Sequence, residues 1–280
     1  MKLNIVSCIS AKDLITFYFQ STVYNELNCN YYIISSNFTR KILKALFFLR
    51  FKNQAKYIFV DEKTLLSESG INDFDSLVIK SNNNLFNKRN WYKQQFLKYE
   101  IRKLIKSDYL IIDGDTFPTN IDYILNINEK SRYINSYSEV HYPYEQLYNK
   151  LLHKSGQSEY NFVCEVFYIN YNRLNELIVK IEENHSFYIE AVLKNSTHEC
   201  GFSEYQTYGR YEYENQSGIN YEVFDTIRHY GKQKLPWQKI SEKNVKFVSF
   251  ETCDYPNDFR KFIFYLFYKP LIYTFRVLHL

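Results

Sequence analysis

The string Tyr109-Leu-Ile-Ile-Asp113-Gly-Asp115-Thr-Phe-Pro118 decides how this chain folds. Its apolar opening, running in from Asp108 to Ile112, has the length and composition of a strand buried on both faces. Such a strand delivers Asp113 and Asp115 to its carboxyl end, the edge at which open α/β sheets bind ligands. Gly114 between them lets the backbone turn tightly and a ligand come close. Two carboxylates one residue apart can share a hard cation, Mg²⁺ or Mn²⁺, with substrate phosphates. The plainer alternative is a pair of turn residues that end a strand. The chain carries its own control, Asp73-Phe-Asp75, which has the same spacing but reads as a polar loop with no strand before it.

Working upstream, strands and helices alternate. Leu3 to Ile9 reads as a buried strand and residues 12–27 as a helix, followed by strands over Asn30 to Ser35 and Tyr57 to Val60. Trp91 to Lys106 reads as an amphipathic helix leading into the Asp108–Ile112 strand. This alternation implies right-handed βαβ units in a mostly parallel sheet flanked by helices, an α/β fold. Downstream the pattern is less regular. Strands are expected within 162–169, 221–230 and 245–250, and helices over 171–183 and from Phe202 to Tyr213 with Ser203 as N-cap. Neither a repeat nor a linker divides the chain, so residues 1–258 read as one domain. Residues 259–280 form a basic, aromatic tail with Arg260, Lys261, Lys269 and Arg276 and no acid.

Composition limits the rest. Only 7 Gly and 5 Pro occur in 280 residues, against 19% aromatic and 45% hydrophobic residues. That excludes collagen-like and low-complexity disordered chains and supplies a sizeable core. A net charge of +4 is too small to mark a nucleic-acid binder, and none is expected as a partner. Five cysteines (8, 29, 164, 200 and 253) include no C-x-x-C pair, which fits reduced thiols in the cytoplasm better than a disulfide framework. No apolar run approaches the ~18 residues of a spanning helix.

The helix segment Trp91-Tyr-Lys-Gln-Gln-Phe-Leu-Lys98, the strand ending in Asp113-Gly-Asp115, and the later Ser203-Glu-Tyr-Gln-Thr-Tyr-Gly209 occur in that order. Together they resemble bacterial glycosyltransferases of the GT-A fold, nucleotide-sugar enzymes linked to surface polysaccharide synthesis. The resemblance covers roughly residues 2–240. It implies a GT-A-like, single Rossmann-like sheet with a more irregular, acceptor-side second half. It also implies transfer of a hexose from a nucleotide-sugar donor to a saccharide or lipid-linked saccharide acceptor.

On that resemblance Asp113 and Asp115 would hold the divalent metal, with Asp113 on the metal or the ribose. The metal offsets charge on the leaving phosphate. A late His often completes such a metal shell, and His229 is the matching position, the alternative being a solvent-exposed or core histidine; Asp13, at the mouth of the first strand, matches an early nucleotide-contacting Asp. Lys93 and Lys98, with Arg102, are candidates to neutralise phosphates, the alternative being a solvated helix face. Gln95 is a positioning candidate on the same helix. Inverting transfer needs a carboxylate to deprotonate the acceptor. Glu204 is the first candidate, with Asp225 and Glu165 behind it; the alternative for Glu204 is an acidic residue complementing a helix N-terminus.

Two other function classes stay open at this level. A glycoside hydrolase would also use two carboxylates, though across a sugar rather than side by side. A non-enzymatic module binding polysaccharide or a membrane surface would use the aromatics and the tail. Residues 259–280 are expected either to contact the cytoplasmic face of the inner membrane or to pack on the domain.

Overall fold

A computed structural model describes residues 2–14, 17, 20–21, 24, 27–50, 56–118, 120–135, 141–230 and 245–251. The strands β1 (Leu3–Ile9), β2 (Cys29–Ser35) and β3 (Tyr57–Asp61) are parallel, with helix α1 (Asn37–Arg50) crossing between β2 and β3. After β3 come α2 (Glu62–Ser67), α3 (Phe74–Asn82), a 3₁₀ turn over Asn83–Lys88, α4 (Arg89–Glu100) and α5 (Arg102–Ile105). They lead into β4 (Tyr109–Ile112), which lies parallel to β1 on the side away from β2. All four β4 residues are buried, as a central strand covered on both faces requires.

β5 (Thr116–Pro118), α6 (Asp122–Leu125), β6 (Ser131–Asn135) and α7 (Tyr142–Leu152) follow β4. Next are β7 (Val166–Ile169), α8 (Tyr171–Asn184), α9 (Tyr188–Asn195) and α10 (Glu204–Asn215), and then β8 (Asn220–Tyr230) and β9 (Val245–Glu251). The main sheet has the order β3-β2-β1-β4-β7, with only β7 antiparallel. The second half also forms a sheet of its own, in the order β5-β9-β8-β6. The sequence shows β8 and β9 but not their partners, because β5 and β6 are three and five residues long and carry little periodicity.

The α4 region departs from its expected form. The helix stops at Glu100, and α5 is closed by Lys106 in the left-handed region (φ 51°), whose N–H bonds the Arg102 carbonyl at 2.9 Å. Its second half is not amphipathic: every residue from Gln95 to Arg102 is buried. The Asp73 control is structured too. It caps α3, accepting from the Ser76 N–H at 3.1 Å, while Asp75 pairs with Arg89 at 3.1 Å.

Helix α10 is buried from Glu204 to Glu212 despite its polar sequence. Ser203 caps it by accepting from Gln206 N–H at 3.2 Å. Each interior charge has an opposite charge waiting. Glu204 meets Lys98, Arg210 meets Glu145 at 2.5 Å, and Glu212 takes a two-pronged contact from Arg132 at 2.8 and 2.9 Å. That pairing is what lets charges leave water. Gly209 faces the Phe162 ring so closely that an added Cβ would overlap it.

Candidate active site

The Asp113-Gly-Asp115 turn sits where β4 ends beside β1. The Asp113 N–H bonds the Glu165 carbonyl at 2.9 Å, and the Thr116 N–H closes the turn on the Asp113 carbonyl at 3.0 Å. Gln20, from the segment after β1, donates to the same Asp113 carbonyl at 3.0 Å. Gly114 lies against Ile9, where a Cβ would overlap that side chain. These contacts fix the turn through its backbone atoms.

The Asp113 carboxylate has a built-in partner. Lys98 Nζ, from α4, lies 2.7 Å from Asp113 Oδ1, 2.6 Å from Glu204 Oε1 and 3.0 Å from the Tyr205 hydroxyl. Three acceptors use all three protons of an ammonium. The Tyr205 hydroxyl in turn donates to Asp113 Oδ1 at 2.8 Å. Lys98 also stands over the Tyr205 ring, 4.5 Å from its centre. The Gln95 amide, with its nitrogen turned inward, donates to the Glu204 carboxylate, and Tyr99 donates to the Glu204 carbonyl at 2.6 Å.

The electrostatics follow from burial and pairing. Burial alone would lower the Lys98 pKa, but Asp113 and Glu204 outweigh it and hold the ammonium charged well above its usual range. The Glu204 pKa moves up, because desolvation exceeds the opposing pull of Lys98. Cys8, buried beside this cluster, has its thiol pushed far up by desolvation. It is inert as a nucleophile.

The other expected residues fall as follows. Lys93 is half-buried and pairs with Glu62 at 3.2 Å, while Arg102 is buried near Glu100 at 3.8 Å. The three basic residues thus form no single face, solvated or phosphate-facing, and only Lys98 reaches the motif. Asp13 accepts from the Ser10 hydroxyl at 2.5 Å at the mouth of β1. Glu165 is buried. His229 and Asp225 lie on β8, and their side chains, like all of residues 252–280, are outside the described residues.

The expectation that meets a physical obstacle is Glu204 as base. Its side chain has no exposed surface and is closed in by Lys98 and Gln95, so an acceptor hydroxyl has no direct way to it. Tyr205 is the functional candidate that sequence reasoning passes over. Its adjacency to Glu204 is the available signal, but only the fold turns its hydroxyl onto Asp113.

A divalent cation is compatible with the donors present. Both described contacts to Asp113 fall on Oδ1, the side chain keeps 24% of its surface, and Asp115 is half-buried. One or two carboxylates completed by substrate phosphates is an ordinary Mg²⁺ set. Among the described residues no cluster of three His, Cys, Asp or Glu side chains could hold a metal unaided. The backbone register locates His229 relative to the turn. β5 pairs Thr116 with Ser249, and β9 pairs Ser249 with Arg228 and Phe250 with His229. One step along this register, Asp115 and His229 fall in the row of Phe250.

Solved structures place this architecture. Mouse xyloside xylosyltransferase 1 in its apo form matches 92% of this chain and 100% of its own at 13% identity and TM-score 0.50. Galactosyltransferase LgtC in complex with donor and acceptor sugar analogs matches 99% and 96% at 10% identity and TM-score 0.50. An active-site mutant of LgtC matches 97% and 94% at 12% identity and TM-score 0.52. The fold is therefore that of the GT-A class, a mostly parallel sheet flanked by helices. The chain belongs to a family of unknown function, DUF6492, whose profile matches residues 26–249. A search of curated protein sequences finds no match.

Proposed function

We propose that this protein is a metal-dependent glycosyltransferase that moves a sugar from a nucleotide-sugar donor to a saccharide acceptor. The observation that carries the reading is Asp113-Gly-Asp115 at the carboxyl end of β4, braced by Lys98, Gln95, Glu204 and Tyr205, within a GT-A fold. Mg²⁺ or Mn²⁺ held by Asp113 and Asp115 would act as a Lewis acid toward the leaving diphosphate. Lys98 fixes the Asp113 rotamer by binding Oδ1, which leaves Oδ2 for a ligand. Glu204 and Gln95 act through Lys98 as positioning residues. Asp13 and Lys93, at the mouths of β1 and β3, are assigned to the nucleotide.

This reading moves the inverting assignment away from Glu204, since an enclosed carboxylate cannot take a proton directly from an acceptor. It keeps the acceptor class implied by the sequence resemblance, a saccharide or lipid-linked saccharide of cell-surface polysaccharide. No described helix is long and apolar enough to cross a membrane.

The test is thermal stabilisation by a panel of nucleoside diphosphates and nucleotide-sugars, with and without Mn²⁺. Saturating one ligand at about 100 times its Kd contributes about 2.7 kcal/mol, or roughly 5–10 °C for a domain of this size. One nucleotide should stabilise the protein only with metal present, and Asp115→Ala should abolish the shift. No shift from any nucleotide, or one that survives Asp115→Ala, overturns the reading.

A further inference from the structure

Helix α1 carries its hydrophobic residues on both sides. Thr39, Leu43 and Phe47 are buried, with the Phe47 ring 4.7 Å from Tyr57 and 5.6 Å from Phe59 between centres. That inner face suffices to hold the helix on the sheet. On the outer face Phe38 is 69% exposed and Phe48 is 74% exposed. At 100° per residue these two share a face with Lys41, Lys44 and Ala45, all exposed. Among the described residues no packing accounts for these two exposed phenylalanines.

The charged residues of this stretch of sequence have one sign. Between Glu26 and Asp61 the sequence has Arg40, Lys41, Lys44, Arg50, Lys52 and Lys56 and no acidic residue. Arg40 is used by Asp61 at 3.3 Å, and Lys44 leans over the Phe59 ring at 5.7 Å. Lys41 and Lys44 both remain on the exposed face between the two rings.

We propose that the outer face of α1 docks on an anionic lipid bilayer, with Phe38 and Phe48 entering the interface and Lys41 and Lys44 meeting the headgroups. Ten residues separate the rings, about 15 Å along the axis, so both can touch one plane when the helix lies flat. An aromatic face edged with lysine is the pattern of an interfacial helix. The lysines also decide between a bilayer and a protein partner. The buried centre of a protein interface is depleted of Lys, and here two lysines sit between the apolar anchors. At a bilayer the same stems lie along the acyl boundary while the ammonium groups reach the headgroups. Because α1 begins just after β2 ends, Phe38 lies at the sheet edge that carries Asp113 and Phe48 lies toward the opposite edge. Docking sets the flank of the sheet on the membrane with the candidate site alongside it.

The test is co-sedimentation of the full chain with vesicles of phosphatidylcholine containing about one-third phosphatidylglycerol, against pure phosphatidylcholine. The protein should pellet with the anionic vesicles, much less with neutral ones, and be released by high salt. Phe38→Ser with Phe48→Ser should weaken partition by about tenfold or more. Lys41→Glu with Lys44→Glu should weaken it by roughly fivefold per lysine or more. Neither pair should lower the thermal midpoint, since the side chains changed are exposed. Residues 259–280 are present in every variant, so wild-type binding by both double variants overturns the proposal and assigns the contact elsewhere. Failure of the unaltered chain to bind anionic vesicles overturns it as well. So does a concentration-dependent dimer in free solution that Phe38→Ser with Phe48→Ser dissolves, if vesicle binding is unaffected by the same changes.

Discussion

Lys98 lies 2.7 Å from Asp113 Oδ1, so the first carboxylate of the Asp-Gly-Asp turn is charge-paired before any ligand arrives. The same ammonium is 2.6 Å from Glu204. One buried cation therefore orients the motif and neutralises a carboxylate that would otherwise be stranded in the core. The site's readiness for a ligand and the stability of the domain rest on the same side chain.

Removing that cation should be costly. Lys98→Met leaves Glu204 buried and uncompensated, and losing one partner of a buried pair costs about 3–5 kcal/mol. Lys98→Met combined with Glu204→Leu removes both charges and should recover most of that loss. Urea unfolding of the two variants checks this. Equal stabilities for the single and the double variant would mean that Glu204 is not held by Lys98.

The acid limb of stability should report Glu100. Burial pushes its pKa up, but Arg102, Ser69, Tyr188 and Lys103 together bring it below the usual 4.5. A depressed folded-state pKa means the unfolded chain takes up the proton first. The stabilisation is thus present above pH ~4.5 and lost as pH falls through the folded value. Unfolding free energy measured from about pH 6 down to about pH 3 should fall more gently for Glu100→Gln than for the unaltered protein. Parallel slopes would show that Glu100 makes no such contribution.

Gly209→Ala should destabilise α10 even though alanine is the better helix former. The new methyl would meet the Phe162 ring, which is rigid and has no exposed surface. Overpacking of this kind costs about 1–3 kcal/mol. Adding Phe162→Leu should relieve part of it, and thermal unfolding of the single and double variants measures the difference.

The two Asp-x-Asp strings should behave oppositely. Asp73→Ala removes a helix cap and should cost about 1 kcal/mol, while leaving any Mn²⁺-dependent stabilisation by nucleotide intact. Asp115→Ala should abolish that nucleotide shift, as should a chelator added to the unaltered protein. Loss of the shift in Asp73→Ala would break the distinction drawn between the strings.

Much of the framework is legible in the chain itself. Leu3–Ile9, Tyr57–Asp61 and Tyr109–Ile112 are short apolar runs, and the residues that make them strands are their own neighbours. The placement of Asp113 and Asp115 at a strand end follows from the same local pattern, as does the Ser203 cap. The second sheet is half visible. β8 and β9 are 11 and 7 residues long, but Thr116–Pro118 is too short to show a period, and it becomes a strand only because β9 lies beside it.

Local pattern alone dictates the parallel β1–β4 framework, the turn that presents two carboxylates, and the Gly/Pro-poor core. What the charges do is settled by long-range packing. A lysine on a helix reads as solvated because an isolated buried charge is prohibitively costly, and no local pattern reveals a compensating partner. Lys98 is buried because Glu204, 106 residues further on, enters the same space on another helix. That contact removes Lys98 from the surface and Glu204 from the role of an open base. It also turns two separate sequence features into one ion-paired support for Asp113.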